Sequence, residues 1–196
     1  MKIKPAKKDR RVRLTRQRLH QALLSLAIER GYDAVTVQDV LDQAEIARST
    51  FYAHFRDKED LLLSGFRDQE SALFCSTHSG SGVFTGLALA LFQHVYENKA
   101  LAMAFSGSPS SQMIFAHLRN MIIVEVRERL NAQSSLATKE IPDELIVQFV
   151  GGTLFNLLIW WIDHNFPYSA QEMGNACEKL ITRSLEFRTT FNNESI

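Results

Sequence analysis

Arg48, Ser49, Thr50, Tyr52 and His54 crowd into one short run, Arg48-Ser49-Thr50-Phe51-Tyr52-Ala53-His54-Phe55. A guanidinium can bond a guanine edge at two points, and hydroxyls serve bases and phosphates alike. Phe51 and Phe55 stand one helical turn apart, so on a helix they share a face and turn the polar side chains the other way. A solvated helix face ordinarily carries Glu, Lys and Gln. This one carries no carboxylate. The pattern suits the polar surface of a helical hairpin, and it suits equally a two-turn helix entering a major groove by its N-terminal end.

The neighbouring residues read as the elements that would hold such a helix. Thr36 is an N-cap, and Asp39 three residues on completes an acidic capping box. Val37, Val40 and Leu41 then form one apolar stripe. Ala44-Glu45-Ile46-Ala47 fits a tight turn. Upstream, Thr15 is expected to cap a helix running to about Arg30 on the stripe Leu19, Ala22, Leu23, Leu26 and Ala27, with Gly31 ending it. His20 lies outside that stripe and is expected to be exposed. Tyr32 and Val35 should pack beneath. Downstream, Asp57 with Asp60 caps a fourth helix reaching about Cys75. Lys58 and the N–H groups of that helix start are expected to form a phosphate site.

Ala27, Gly31-Tyr32, Thr36-Val37-Gln38-Asp39-Val40, Ala44 and above all Ser49-Thr50-Phe51-Tyr52-Ala53-His54-Phe55-Arg56-Asp57-Lys58-Glu59-Asp60-Leu61 resemble the DNA-binding domain of the TetR/AcrR family of one-component transcriptional regulators. The resemblance spans roughly Thr15 to Phe66. It implies an all-α fold of about nine helices: an N-terminal three-helix helix-turn-helix domain, a connecting fourth helix, and a C-terminal bundle that binds ligand and dimerises through the last two long helices. In that scheme Arg48, Thr50 and Tyr52 read bases, while Thr36, Ser49, Tyr52, His54 and Lys58 hold phosphates. Two positions depart from the family. Glu45 stands where Gly is usual; a left-handed backbone there would cost about 1 kcal/mol. Ala47 stands where Ser or Thr often caps the recognition helix, forfeiting about 1 kcal/mol.

Charge distribution agrees. The 196 residues have a formal net charge of zero, but residues 1–58 hold 13 Lys/Arg against 7 Asp/Glu, and residues 59–196 hold 9 against 15. A basic head on an acidic body points the head at a polyanion. Residues 1–14 are expected to be a basic flexible arm able to neutralise phosphates or enter a minor groove. The expected domains are 15–56 for DNA binding and 57–196 for ligand binding and dimerisation.

The hydrophobic fraction of 45% supports a buried core. The longest apolar run, near Leu154–Ile162, is short of the roughly 20 residues of a bilayer span and is broken by Asn156. No signal peptide is visible, and two cysteines, Cys75 and Cys177, fit a reducing cytoplasm; no membrane is expected. Cys75 and His78 have metal-ligand spacing but no second pair, so no metal is expected. No cofactor is expected, and with no nucleophile–base pair or Gly-rich phosphate loop, no enzyme.

The remaining helices are expected from Val83, over Lys99–Phe105, from Pro109 or Ser110 to Leu130, from Pro142-Asp143-Glu144 to Asn165, and from a Ser169 cap onward. The helix after Pro142 is apolar on most sides, with Gly151-Gly152 leaving room for a close neighbour. Two such helices ending the chain suggest a homodimeric four-helix interface. Phe92, Tyr96, His117, Met121 and Phe155 are candidates to line a site for a small, apolar effector. The partners expected are thus a double-stranded DNA operator, a small-molecule effector and a second copy. The reading is a repressor released from a pseudo-palindromic operator by effector; the alternative is a helical carrier of an apolar molecule, which has no use for the basic arm or the carboxylate-free face.

Overall fold

A computed structural model describes residues 7–75, 84, 86–132 and 141–190, with side chains for 10–66, 84, 86–132 and 141–185. The Cys75–His78 pairing, the His78–Gly82 loop, the first residues of the basic arm and most of the connection after Asn131 lie outside the described residues. Among the described residues every element is helical: α1 Lys7–Arg30, a 3-10 turn Tyr32–Ala34, α2 Val37–Ala44, α3 Arg48–Tyr52, α4 Lys58–Cys75, α5 Leu87–Glu97, α6 Lys99–Phe105, α7 Ser111–Ala132, α8 Asp143–Asp163 and α9 Ala170–Thr190.

The helices group into two compact units, residues 1–69 with 100–114 and residues 70–99 with 115–196. The first unit takes in α6 and the start of α7. The chain passes between units three times, the first within α4.

In the first unit, Leu19, Leu23, Ala27, Tyr32, Phe51 and Leu61 are sealed from solvent, and Phe105 and Ile114 join the same core. Each large side chain so buried contributes about 1.5–3 kcal/mol. Gly31 closes α1 at φ 80°, donating to the Ala27 carbonyl at 3.0 Å. The other end of α1 departs from expectation. It begins at Lys7, not Thr15, so much of the basic arm is helix. Between Lys7 and Arg30 there is no Gly or Pro, and Lys, Arg, Gln, Leu and Ala are strong helix formers. Once the packed half has nucleated the helix, extending it costs little.

In the second unit, Trp161 of α8 is fully buried against Phe92 of α5, ring centroids 5.2 Å apart, and its indole N–H donates to the Tyr168 carbonyl at 2.9 Å. A Cβ on Gly174 would lie 2.7 Å from the Leu89 Cα, so only glycine lets α9 approach α5 this closely. A Cβ on Gly151 would lie 3.1 Å from Ile123 of α7, whereas Gly152 has open space. Asn165 and Phe166, both at φ 58°, turn the chain between α8 and α9. Left-handed backbone costs a phenylalanine about 1–2 kcal/mol. The Phe166 ring packing on Trp161 at 4.7 Å holds it there. Ser169 caps α9, with Glu172 returning the bond.

By length and composition α8 could cross a membrane, which the run broken by Asn156 did not suggest. Its Ile146, Val147, Val150, Leu154, Leu158, Trp161 and Ile162 are buried within this unit, while Leu145, Phe149 and Trp160 stay exposed.

Candidate nucleic-acid interface

Local chemistry builds the presenting surface first. The Thr36 side chain accepts from the Asp39 N–H at 3.2 Å while the Asp39 carboxylate accepts from the Thr36 N–H at 2.8 Å, which starts α2. Hydrogen bonding from Thr36, with help from Arg30 3.2 Å away, holds the Asp39 carboxyl below its ordinary range. α2 ends at Glu45, left-handed at φ 54°, and Ile46 N–H bonds back to the Leu41 carbonyl at 3.1 Å. Ala47 precedes α3 without a side-chain cap. Both departures read from the sequence therefore fall on strained or under-capped backbone.

α3 is five residues long and winds on through bonds from Ala53 to Ser49 and from Phe55 to Phe51. Phe51 and Phe55 are buried in the head core. Arg48 and Ser49 are exposed, Thr50 and His54 half-buried, and Tyr52 is 52% exposed with its ring edge-on to Phe51 at 5.2 Å. Thr36 is exposed at the start of α2. Arg48, Ser49 and Tyr52 are thus the most open side chains of α3, with Thr50 and His54 partly covered and the two phenylalanines turned inward.

Lys58 is placed otherwise. Its ammonium donates to the carbonyls of Tyr32 at 2.9 Å and Val35 at 2.7 Å, and lies 4.2 Å from the centroid of the Tyr32 ring. Two of the ammonium's three N–H directions are thus taken by carbonyls of the 3-10 turn between α1 and α2. The start of α4 is capped as expected, the Asp60 N–H donating to Asp57 at 2.7 Å; the Asp60 carboxylate also accepts from the Arg56 N–H at 3.1 Å.

Several contacts had no signal in the sequence. His20 is not simply exposed: Nε2 lies 2.7 Å from the Leu61 carbonyl and 2.8 Å from Ser64 Oγ, joining α1 to α4, and a Cβ on Gly65 would press on its ring at 3.2 Å. Tyr32 stacks obliquely on Phe105 at 5.2 Å. Hydrogen bonding from Ser110 lowers the Asp33 carboxyl against a smaller opposing effect of burial. Burial first, then the Glu59, Asp57 and Asp33 carboxylates, raises the Tyr32 phenol.

Of the residues expected to line an effector site, Phe92 and Met121 are buried core. Tyr96 is exposed and stacks on Trp161 at 6.0 Å; His117 and Phe155 are half-buried, Phe155 edge-on to Phe115 at 6.5 Å. Burial lowers the pKa of His94. Glu125 and Arg129 form a buried ion pair at 2.6 Å on α7.

Two short helices across a tight turn, the second presenting Arg48, Ser49 and Tyr52 to solvent, make the head a helix-turn-helix of the kind that DNA-binding regulators carry. Comparison with known proteins makes this specific. Residues 19–64 match the family described as "Bacterial regulatory proteins, tetR family", and residues 85–183 match a "Transcriptional regulator C-terminal region". The chain belongs to the TetR family of transcriptional regulators. Over 175 residues it is 25% identical to the HTH-type transcriptional repressor KstR2 of Mycolicibacterium smegmatis, spanning 81% of this chain and 84% of that one. Its fold matches a TetR transcriptional regulator from Streptococcus agalactiae with a TM-score of 0.66 at 24% identity, covering 89% of this chain and 97% of the other. It also matches FadR from Bacillus subtilis, crystallised with stearoyl-CoA, with a TM-score of 0.62 at 20% identity, covering 84% and 96%.

Proposed function

We propose that the chain is a cytoplasmic repressor that binds a pseudo-palindromic operator as a homodimer and is released by a small apolar effector. The observation that carries the DNA contact is the outward face of α3, with its guanidinium and hydroxyls and no carboxylate, backed by buried Phe51 and Phe55. Arg48, Thr50 and Tyr52 read bases; Thr36, Ser49 and His54 hold phosphates. Lys58, whose ammonium also bonds two protein carbonyls, is the fourth phosphate candidate. The basic side of α1, with Arg10, Arg11, Arg13 and Arg18, adds attraction that weakens with salt.

The homodimer is supported by apolar side chains left outside on the last two helices: Leu145, Phe149 and Trp160 on α8, and Leu180 on α9, at 57% exposed. Two such pairs meeting about a two-fold axis would bury them together. Tyr96, His117 and Phe155 are the effector-site candidates with surface left to offer a ligand. An apolar effector is in keeping with the acyl chain of the stearoyl-CoA crystallised with FadR of Bacillus subtilis, a protein of similar fold. Effector acts only through its preference for the conformation that does not bind DNA.

The test is titration of Tyr52→Ala against duplex from upstream of the chain's own gene at moderate salt. Loss of a base contact worth about 1–3 kcal/mol predicts roughly tenfold weaker binding or more. Wild-type affinity would overturn the assignment.

A further inference from the structure

Glycine inside a helix is disfavoured against alanine, so a glycine there needs a physical reason. Gly65 lies in the interior of α4, and a Cβ on it would fall 3.2 Å from Cδ2 and 3.3 Å from Nε2 of His20 on α1. Both distances are tighter than ordinary van der Waals contact. The bare backbone at Gly65 is what lets the imidazole come this close to α4.

The ring uses that closeness. Its Nε2 is 2.7 Å from the Leu61 carbonyl and 2.8 Å from Ser64 Oγ. A carbonyl oxygen only accepts, so the proton sits on Nε2. The Ser64 hydroxyl donates to the same Leu61 carbonyl at 2.8 Å, which leaves its oxygen to accept from the ring. One N–H is thus shared by two acceptors on a single turn of α4. The same ring stands edge-on to Phe55, centroids 5.8 Å apart, at the end of the stretch that carries α3. Arg16, one turn earlier on α1, holds its guanidinium 5.2 Å from that Phe55 ring. His20 therefore joins α1, the Phe55 end of the recognition stretch, and α4.

Apolar burial already holds these pieces together, since Leu19, Phe55, Leu61 and Leu62 belong to one core. Burial is non-directional. Leucine and phenylalanine surfaces accept small slides and rotations that a short bond to one carbonyl does not. The His20 bond adds register to a contact that packing has made.

We propose that His20 is a positioning residue for DNA binding: seated against Gly65, its Nε2–H fixes the register of α4 on α1 and, with Phe55, the orientation of the recognition helix, a role that rests on the DNA-binding reading above. His20 and Gly65 then act as one unit. A histidine that only fills space, or a glycine that only loosens α4, would not be coupled in this way.

Two measurements on the full chain test the coupling. The first is a double-mutant cycle read by thermal unfolding and by affinity for a duplex that the wild type selects from a random pool. Gly65→Ala alone is expected to displace the ring, weakening binding about tenfold, as loss of a hydrogen bond with some strain would, and lowering the unfolding midpoint. Added to His20→Ala, it should leave affinity unchanged and raise the midpoint by about 2–4 °C, the ordinary gain of alanine over glycine in a helix. His20→Gln, whose amide N–H reaches the place of Nε2–H, should bind like the wild type, and His20→Ala about tenfold more weakly. Equal effects of Gly65→Ala in both backgrounds, or His20→Gln as weak as His20→Ala, overturn the proposal. The second measurement needs no variant. Nitrogen-15 spectra of the wild-type His20 ring at about pH 8, above the usual imidazole range, should show a protonated Nε2 and an unprotonated Nδ1; the reverse overturns the proposal. Wild-type protein that selects no duplex would instead sink the DNA reading, while the ring spectra and the unfolding half of the cycle would still report the contact.

Discussion

The head and the second unit are built from the same element, yet by different rules. Around α2 and α3 the bonds that set geometry are short in sequence: Thr36 with Asp39, Asp57 with Asp60, and Phe51 beside Phe55 on one turn. In the second unit the deciding contacts join residues far apart: Gly174 against Leu89, Gly151 against Ile123, and Trp161 against Phe92. The starts of α2 and α4 are specified by local signals, while the core behind α3 also takes in the distant Leu19, Phe105 and Ile114. A bundle specified by close helix approach depends on a few small or large residues, with little tolerance in either direction.

That contrast gives a ranking of substitutions. Trp161→Ala should cost about 3–5 kcal/mol, because it empties a fully enclosed site and removes the N–H bond to Tyr168. The loss should show in thermal unfolding followed by circular dichroism, and cooperative unfolding at the wild-type temperature would contradict the packing described. Gly174→Ala comes next, at about 1–3 kcal/mol, since a Cβ 2.7 Å from backbone must push α9 away from α5.

The head should respond in the opposite direction. Glu45→Gly removes a left-handed strain and Ala47→Ser supplies a missing cap; each should stabilise the head by up to about 1 kcal/mol. Amide exchange in α2 and α3 would report the gain. Slower exchange in the second unit alone would mean that the strain does not lie where the backbone puts it.

The smallest effect is in acid. Asp33 and Asp39 have carboxyls lowered by hydrogen bonds in the folded head. A lowered folded pKa stabilises the fold above the ordinary carboxylate value near pH 4, and that contribution is lost as pH falls through the lowered values. Asp39→Asn should flatten the acid limb of head stability by lowering stability at neutral pH, where the carboxylate is charged, and leave strongly acid conditions nearly unaffected. A limb unchanged in Asp39→Asn and in Asp33→Asn would assign the acid response to other groups.

The same division explains what could be read without coordinates. Caps, stripes and the outward α3 face follow from spacing within a few residues, and they were legible. The strain at Glu45 was legible only through the family resemblance, which has Gly at that position. The partners of His20 and Lys58 were not legible for one reason: they lie 41 residues away in one case and 23 and 26 in the other, and a polar residue beside a stripe does not announce them. The start of α1 was misjudged because a run dense in like charge was weighed as an isolated peptide rather than as the extension of a packed helix. Gly174, a lone glycine on an otherwise ordinary helix, shows its purpose only when Leu89 is seen beside it.

The central claim is that the α3 face reads sequence in a duplex, and the most direct measurement compares Arg48→Ala with wild type on two DNAs: one selected by the wild-type protein from a random pool, and one random. A lost two-point guanine contact predicts binding to the selected duplex weakened roughly tenfold or more, with random DNA affected only by the loss of one charge. Equal losses on both duplexes, or none on either, would contradict it.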